Sequence, residues 1–322
     1  VLQETLSGTV HFSNSVDAAT FQDFSGLTEG TEFQYRLYGE TIYGPSPWSE
    51  WMMVTTKIDA ILAGPTSQAL TMAYGDVNPA ARLLELTNHG DLPCVWSNQI
   101  EYAGAATGWL AVTPGFGVVA GHTTSNLTLA VDATGLGEGI YRATNTLVAS
   151  ATNEPQVFEV TLTITQRILS VFCDDQARGY GESNPPLTLV LTNFAPGEGV
   201  AQLDAVPVAS TSADTGSAVG VYAITASGGV ASNYQFHYEE GSLTITQVAL
   251  TVTAEDQTRQ YGTSNPVFTL VYAGFRNGED ETVLTPAPTV STAADINSGA
   301  GAYAIAVSGG AATNYALRRV NG

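Results

Sequence analysis

One eight-residue stretch that recurs at a fixed offset constrains this chain more than any other feature. Residues 178–185 read Arg-Gly-Tyr-Gly-Glu-Ser-Asn-Pro, and residues 259–266 read Arg-Gln-Tyr-Gly-Thr-Ser-Asn-Pro, 81 positions later. The offset persists downstream: Tyr222 pairs with Tyr303, Gly228-Gly229 with Gly309-Gly310, and Asn233-Tyr234 with Asn314-Tyr315. A register held without insertion over most of a repeat marks duplicated modules, each one supersecondary unit. The Asn-Pro pair has a local reason: proline fixes its own φ and pushes the preceding residue out of the helical region. Tyr180 and Tyr261 are expected to lie across the turn as local core.

Each repeat reads as β-structure. A strand (168–172, 250–253) leads past an acidic pair to the Tyr-Gly turn, and an alternating strand follows (187–191, 268–272). Residues 197–203 and 278–284 are expected to form one short helical turn each. Later strands at 221–227 and 302–308 enter the Gly-Gly turn. Leu162-Thr-Ile-Thr-Gln166 and Leu243-Thr-Ile-Thr-Gln247 close two successive modules, and the next strand begins at once, without the Gly/Ser-rich composition of a flexible linker. Gly322 is equivalent to Gly241, so the strand that follows Gly241 has no counterpart in the second repeat. That leaves an unpaired edge, and the natural chain is expected to continue. It also starts in mid-pattern, without a signal peptide or initiator Met, and reads as a fragment.

Charge removes whole classes of function. The 322 residues carry 10 basic and 30 acidic side chains, a formal net charge of −20. Affinity for nucleic acid comes from Lys and Arg displacing counterions, so a polyanion of this kind is expected to bind none. Anionic membrane surfaces are disfavoured by the same argument, and no apolar run reaches the ~18 residues of a membrane helix. Only 12% of residues are charged, while 44% are hydrophobic, too apolar a balance for disorder. Lys57 is the sole lysine, so Lys–Asn isopeptide locking cannot be general in this chain. Cys94 and Cys173 fall in different modules and are expected to be buried free thiols.

Little catalytic chemistry is legible. His11, His89, His122 and His237 lie at no metal-ligand spacing from one another or from a cysteine, and read as surface or turn residues. No nucleophile elbow, phosphate loop or dinucleotide fingerprint is present. Carboxylates adjoin at Asp174-Asp175, Glu239-Glu240, Glu255-Asp256 and Glu279-Asp280-Glu281. Acid–base hydrolysis needs such groups across a cleft, whereas neighbours on a strand point to opposite faces. Asp174, Asp175, Glu255 and Asp256 follow the junction strands and are the residues that could hold Ca2+ there, although no ordered calcium loop is present. The alternative is solvated charge that protects strand edges.

The upstream half reads as two further β-modules. In residues 1–57, alternating stretches at 20–26 and 32–39 and the corner Leu27-Thr-Glu-Gly-Thr-Glu-Phe33 resemble the latter part of a fibronectin type III domain. Phe33 stands where that family usually has a tyrosine, so the corner is expected to be held by packing alone. Trp48-Ser-Glu-Trp51 resembles the Trp-Ser-x-Trp-Ser box of cytokine receptors, with Met52 in place of the final Ser. Stacking on Arg36 is preferred to a docking role. In residues 58–166, Leu84-Glu-Leu-Thr-Asn88-His-Gly90 reads as a strand entering a left-handed turn. Trp109-Leu-Ala-Val-Thr-Pro114-Gly-Phe-Gly117, Gly139-Ile-Tyr141 and strands near 126–132, 142–149 and 157–165 are similar to the BACON-type immunoglobulin-like domains of bacterial secreted proteins. The resemblance implies carbohydrate binding as one role, which makes Trp96 and Trp109 candidate sugar-stacking platforms. Packing in the core is the preferred alternative, since aromatics mostly serve as packing mass.

The two repeats themselves resemble the MBG domains of the Tyr-Gly-x type, found in tandem in large bacterial adhesins. The expected fold is all-β: tandem immunoglobulin-like or fibronectin-like sandwiches at 1–57, 58–166, 167–247 and 248–322, the last two sandwich or β-grasp-like. If strung end to end they form a monomeric rod on the order of 100 Å long. The resemblances imply a non-enzymatic stalk segment of a secreted or cell-surface bacterial protein, touching glycans or a host or neighbouring cell surface. The alternative is an accessory carbohydrate-binding region of a secreted polysaccharide-degrading enzyme, with Trp48 and Trp51 as further candidate platforms.

Overall fold

A computed structural model describes residues 2–4, 10–13, 29–30, 32–35, 40–41, 43–153 and 155–322. The fold is all-β, and the helical elements among the described residues are two single 3-10 turns, Val200–Gln202 and Glu281–Val283. Both fall where the sequence predicts a helical turn. No helix among the described residues is long and apolar enough to cross a membrane. The chain divides into two compact units, Val1–Thr165 and Gln166–Gly322.

In the first unit, Met52–Thr55 pairs antiparallel with Glu32–Tyr35. The strand expected at 20–26, the corner before Phe33, the Arg36 partner of the tryptophans and the side chain of His11 lie outside the described residues. Two further two-stranded pairings, Leu2–Glu4 with Val10–Ser13 and Glu40–Thr41 with Gly44–Pro45, lie in the same unit, and residues 62–165 form a pair of larger sheets. One runs in the order Phe116–Val119, Cys94–Ala103, Gly139–Ala149, Gln156–Thr165, Gln68–Ala73; the other runs Leu110–Thr113, Thr124–Val131, Arg82–Asn88, Leu62–Ala63. Period-2 alternation decides which face each strand buries. The 156–165 strand buries Phe158, Val160, Leu162 and Ile164, and the facing sheet contributes Leu84, Leu86, Leu127 and Leu129 to the same core. Each such side chain is worth roughly 1.5–3 kcal/mol of burial.

Two asparagines in this core meet opposite fates. The Asn88 Oδ1 accepts from the backbone N–H of Ile61 (3.2 Å) and Gly90 (2.9 Å), while its Nδ2 donates to the carbonyls of Leu92 (2.7 Å) and Val119 (3.2 Å). The turn it closes is not left-handed, contrary to the sequence expectation. Glycine is needed at position 90 because a Cβ there would stand 2.0 Å from the Asp59 carbonyl oxygen. Asn145 is fully buried and has no hydrogen-bond partner for Oδ1 or Nδ2 among the described residues. A buried amide without partners costs its full desolvation, and removing it is favourable when the shape is kept. Asn145→Leu is therefore expected to raise the stability of the first unit by about 1–3 kcal/mol, measured as a higher denaturation midpoint of the full chain.

The second unit holds the duplication. In repeat 1 a three-stranded sheet, Leu189–Thr192, Arg167–Cys173, Tyr234–Glu239, packs near a four-stranded one, Gln176–Gly179, Gly241–Thr246, Gly220–Ser227, Val208–Thr211. Gly241–Thr246 is one of the two inner strands of the latter, parallel to 176–179 and antiparallel to 220–227. Repeat 2 reproduces the first sheet as Leu270–Ala273, Val248–Ala254, Tyr315–Val320, but its second sheet is reduced to Pro288–Thr292 and Ile305–Gly309. Cys94 and Cys173 are buried free thiols, as the sequence suggests.

Candidate functional site

The repeated motif is a clamp built by its first and seventh residues. Arg178 Nε donates to Asn184 Oδ1 at 2.8 Å, Asn184 Nδ2 donates to the Ala213 carbonyl at 2.6 Å, and Arg178 Nη2 donates to the Asp214 carbonyl. In repeat 2, Arg259 Nε donates to Asn265 Oδ1 and Asn265 Nδ2 to the Ala294 carbonyl, both at 2.7 Å, and Arg259 Nη2 donates to the Asp295 carbonyl. Proline in the motif shapes the turn, but the Arg–Asn pair ties it to a distant loop. The signal for this was present in the sequence as an arginine at the same place in both copies.

The two tyrosines of the motif do not behave alike. Tyr180 is 3% exposed and Tyr261 is 72% exposed. Local packing across the turn is therefore not what buries Tyr180. It inserts into repeat 2, where its ring meets Tyr315 edge-on at 5.7 Å and its hydroxyl donates to Glu279 Oε1 at 2.7 Å. Glu279 also accepts from the Tyr315 hydroxyl, which in turn accepts from the Arg276 backbone N–H at 2.8 Å. Phe275 also packs edge-on against Tyr315 at 5.6 Å. Repeat 1 makes the same arrangement internally, with Tyr234 donating to Glu198, accepting from the Ala195 N–H at 2.9 Å and packing against Phe194.

Further bonds cross the joint. Asn314 Oδ1 accepts from the Val219 N–H at 3.0 Å, and Asn277 Nδ2 donates to the Thr215 carbonyl at 3.0 Å. One apolar cluster runs through both repeats, with Leu243 and Ile245 from the first and Leu250 and Leu284 from the second. The two copies are docked rather than merely tethered.

Burial, then the hydrogen bond to Glu279, pushes the Tyr315 hydroxyl up from 10.0 to about 12. The Tyr180 hydroxyl is raised first by its bond to Glu279 and then by burial. A raised folded-state value means the neutral phenol is favoured by folding. That stability is complete below the unfolded value near 10 and is lost as pH rises through about 12. The second unit is expected to lose about 2–3 kcal/mol over this window, read by denaturant titration at stepped pH with tyrosinate absorbance as the reporter.

Three of the four carboxylates considered for calcium accept hydrogen bonds from nearby hydroxyl or amide groups. Asp174 accepts from the Thr188 hydroxyl and Glu255 from the Thr269 hydroxyl, one bond in two copies. Asp175 accepts from the N–H (2.7 Å) and hydroxyl (2.8 Å) of Ser242, which hold its carboxyl below the usual range. Among the described residues no three His, Cys, Asp or Glu side chains converge as a metal site. His122 and His237 lie on the surface beside Asp91 (2.8 Å) and Glu239 (3.0 Å).

The structure seats both candidate sugar-stacking tryptophans in the core, each 2% exposed. Trp109 is wedged between Tyr102 and Tyr141, with ring centroids at 5.9 and 6.5 Å. Trp96 lies across the neighbouring strand at Gly117, its register partner, where a Cβ would stand 3.2 Å from the indole. Neither ring, so packed, presents a face to solvent. Trp48 and Trp51 are 41% and 43% exposed.

Residues 169–244 and 250–322 each match the family described as MBG domain (YGX type). No curated protein matches the chain. Among solved structures, the chain is similar to the ASH/PapD-like domain of human CEP192 (15% identity, covering 34% of this chain and 86% of that one, TM-score 0.26). It is also similar to the periplasmic chaperone SfaE (12% identity, 57% and 100% coverage, TM-score 0.25). The CsuC–CsuE chaperone–tip adhesion subunit pre-assembly complex of Acinetobacter baumannii gives 8% identity, 58% and 99% coverage and a TM-score of 0.28. The two repeats of the second unit are thus each similar to the MBG domain of the YGX type, over 169–244 and 250–322.

Proposed function

We propose that this chain is a non-enzymatic spacer segment of a secreted or surface-anchored bacterial protein, built from four β-modules at 1–57, 58–166, 167–247 and 248–322. The observation that carries this reading is the joint between the two repeats of the second unit. A tyrosine of one copy is buried in the other, and a single apolar cluster continues through both. Such a joint resists bending, which is what a spacer that holds another part of a protein at a distance requires. Three of the carboxylates near the junctions serve as hydrogen-bond acceptors for Thr188, Thr269 and Ser242, so the reading needs no Ca2+. A chelator is expected to leave the melting temperature of the chain unchanged; a fall on chelation reversed by Ca2+ would contradict that part of the account.

A carbohydrate-binding reading is favoured by one observation, the exposure of Trp48 and Trp51 three positions apart. The two readings separate in a screen of the whole chain against immobilised glycans and polysaccharides. A spacer shows no saturable binding at high micromolar concentration. Saturable binding that disappears in the Trp48→Ala, Trp51→Ala double variant would make the first unit a sugar receptor and overturn the spacer reading.

A further inference from the structure

The joint between the repeats contains a chemically labile pair. The sequence has two Asn-Gly steps, Asn277-Gly278 and Asn321-Gly322, and the first stands where repeat 1 has Pro196-Gly197. Both repeats close the same turn. The Glu279 N–H donates to the Arg276 carbonyl at 3.0 Å, and the Glu198 N–H donates to the Ala195 carbonyl at 3.0 Å. The backbones inside the two turns differ. Proline fixes a negative φ at 196, whereas Asn277 and Gly278 stand at φ +56° and +75°, the left-handed turn that Asn-Gly favours.

That exchange gives repeat 2 an amide side chain that repeat 1 lacks at this turn. Asn277 Nδ2 donates to the Thr215 carbonyl of repeat 1 at 3.0 Å, and the same side chain bonds the Tyr180 hydroxyl. Docking therefore holds the Asn277 amide from the far side of the joint. Asn277 and Gly278 are nevertheless exposed. Beyond its chain neighbours, nothing lies within 4 Å of the place a Cβ on Gly278 would take. The Gly278 nitrogen is thus unhindered beside an amide carbon that only the other repeat restrains.

We propose that Asn277-Gly278 is a spontaneous deamidation site, restrained while the repeats are docked, and that its conversion loosens the joint irreversibly. The Gly278 nitrogen bonds to the Asn277 Cγ, the Cγ–Nδ2 bond breaks, and Nδ2 leaves as ammonia with the proton that the Gly278 amide gives up. Water then opens the succinimide ring. Cleavage of the ring bond at Cγ leaves aspartate, and cleavage at the backbone carbonyl of residue 277 leaves isoaspartate, with the chain routed through the former side chain. Both products lose the donor to Thr215. Aspartate sets a carboxylate against that carbonyl and two positions from Glu279, the acceptor that Tyr180 and Tyr315 share. Isoaspartate lengthens the turn by a methylene. An unpaired acceptor with like charge beside it, or a turn of the wrong length, opposes docking.

The test ages the whole chain in mildly alkaline buffer and follows Asn277 by peptide mapping. Beside it run a synthetic peptide of residues 275–280, Phe-Arg-Asn-Gly-Glu-Asp, and the Tyr180→Phe variant, which loses the bond to Glu279 across the joint. The peptide is expected to convert fastest and the wild-type chain slowest, with the variant on the order of tenfold ahead of wild type. The Val219 amide, bonded to Asn314 Oδ1 across the joint at 3.0 Å, reports docking. Its hydrogen exchange is expected to quicken on the order of tenfold in the converted chain and in unaged Asn277→Asp. In Asn277→Gly, which keeps the left-handed backbone and cannot convert, ageing is expected to leave that exchange unchanged. Asn277 intact in both chains after the peptide has converted, equal rates in the two chains, or unaltered Val219 exchange after conversion would each overturn the proposal.

Discussion

Replacing Trp96 by alanine is expected to cost the first unit about 3–5 kcal/mol, the scale of emptying a large aromatic from a close-packed core. The side chain is 2% exposed and belongs to the cluster that both sheets share. The loss cannot be recovered by collapse, because the ring lies against Gly117, which has no side chain to move into the gap. Trp109→Ala falls in the same range, since it also removes the edge-on contacts with Tyr102 and Tyr141. Trp96→Phe is expected to be much milder. The Trp96 Nε1 has no acceptor among the described residues, so the exchange also removes an unsatisfied donor. Denaturant unfolding of the full chain, followed at the first-unit transition, distinguishes these outcomes. A loss below about 1 kcal/mol for Trp96→Ala would place the ring at the surface instead. The result matters for function as well, because a glycan screen with either alanine variant would report unfolding and not the loss of a platform.

Gly181→Ala is expected to destabilise the second unit by about 2–4 kcal/mol, and Gly262→Ala, the same position one repeat later, by only about 1–2 kcal/mol. Both glycines sit at left-handed φ, +76° and +78°, so both substitutions carry the same backbone strain. They differ in what the new methyl meets. At 181 it would stand 2.6 Å from the Arg276 Cβ, an atom fixed to the backbone of the other repeat; at 262 nothing lies within 4 Å. The difference between the two variants therefore isolates the joint. Equal losses would mean that the repeats do not press together at this turn.

How much of this was legible in the sequence follows from how local each cause is. The duplication, the strands and both 3-10 turns were readable because alternation and turn residues are properties of a few neighbouring positions. The joint was not. Tyr180 and Tyr261 occupy identical motifs, and only the docking of the second copy onto the first makes one core and the other surface. Glu279 read as one of three adjacent carboxylates, yet it is the acceptor shared by Tyr180 and Tyr315, 99 and 36 positions away. The sequence suggests a left-handed turn at Gly90, whereas the role of this glycine is to admit the Asp59 carbonyl, a contact that no short pattern announces. The Trp96–Gly117 pairing was present as a glycine in the Pro-Gly-Phe-Gly run, but register between distant strands is needed to interpret it.

The central claim is that the two repeats of the second unit form one docked body, held by Tyr180, Glu279 and Tyr315. Residual dipolar couplings measured on the isotopically labelled chain test it most directly. The account predicts that backbone couplings from residues 167–247 and from 248–322 fit a single alignment tensor. Two tensors of different magnitude would show the repeats moving independently and would contradict it.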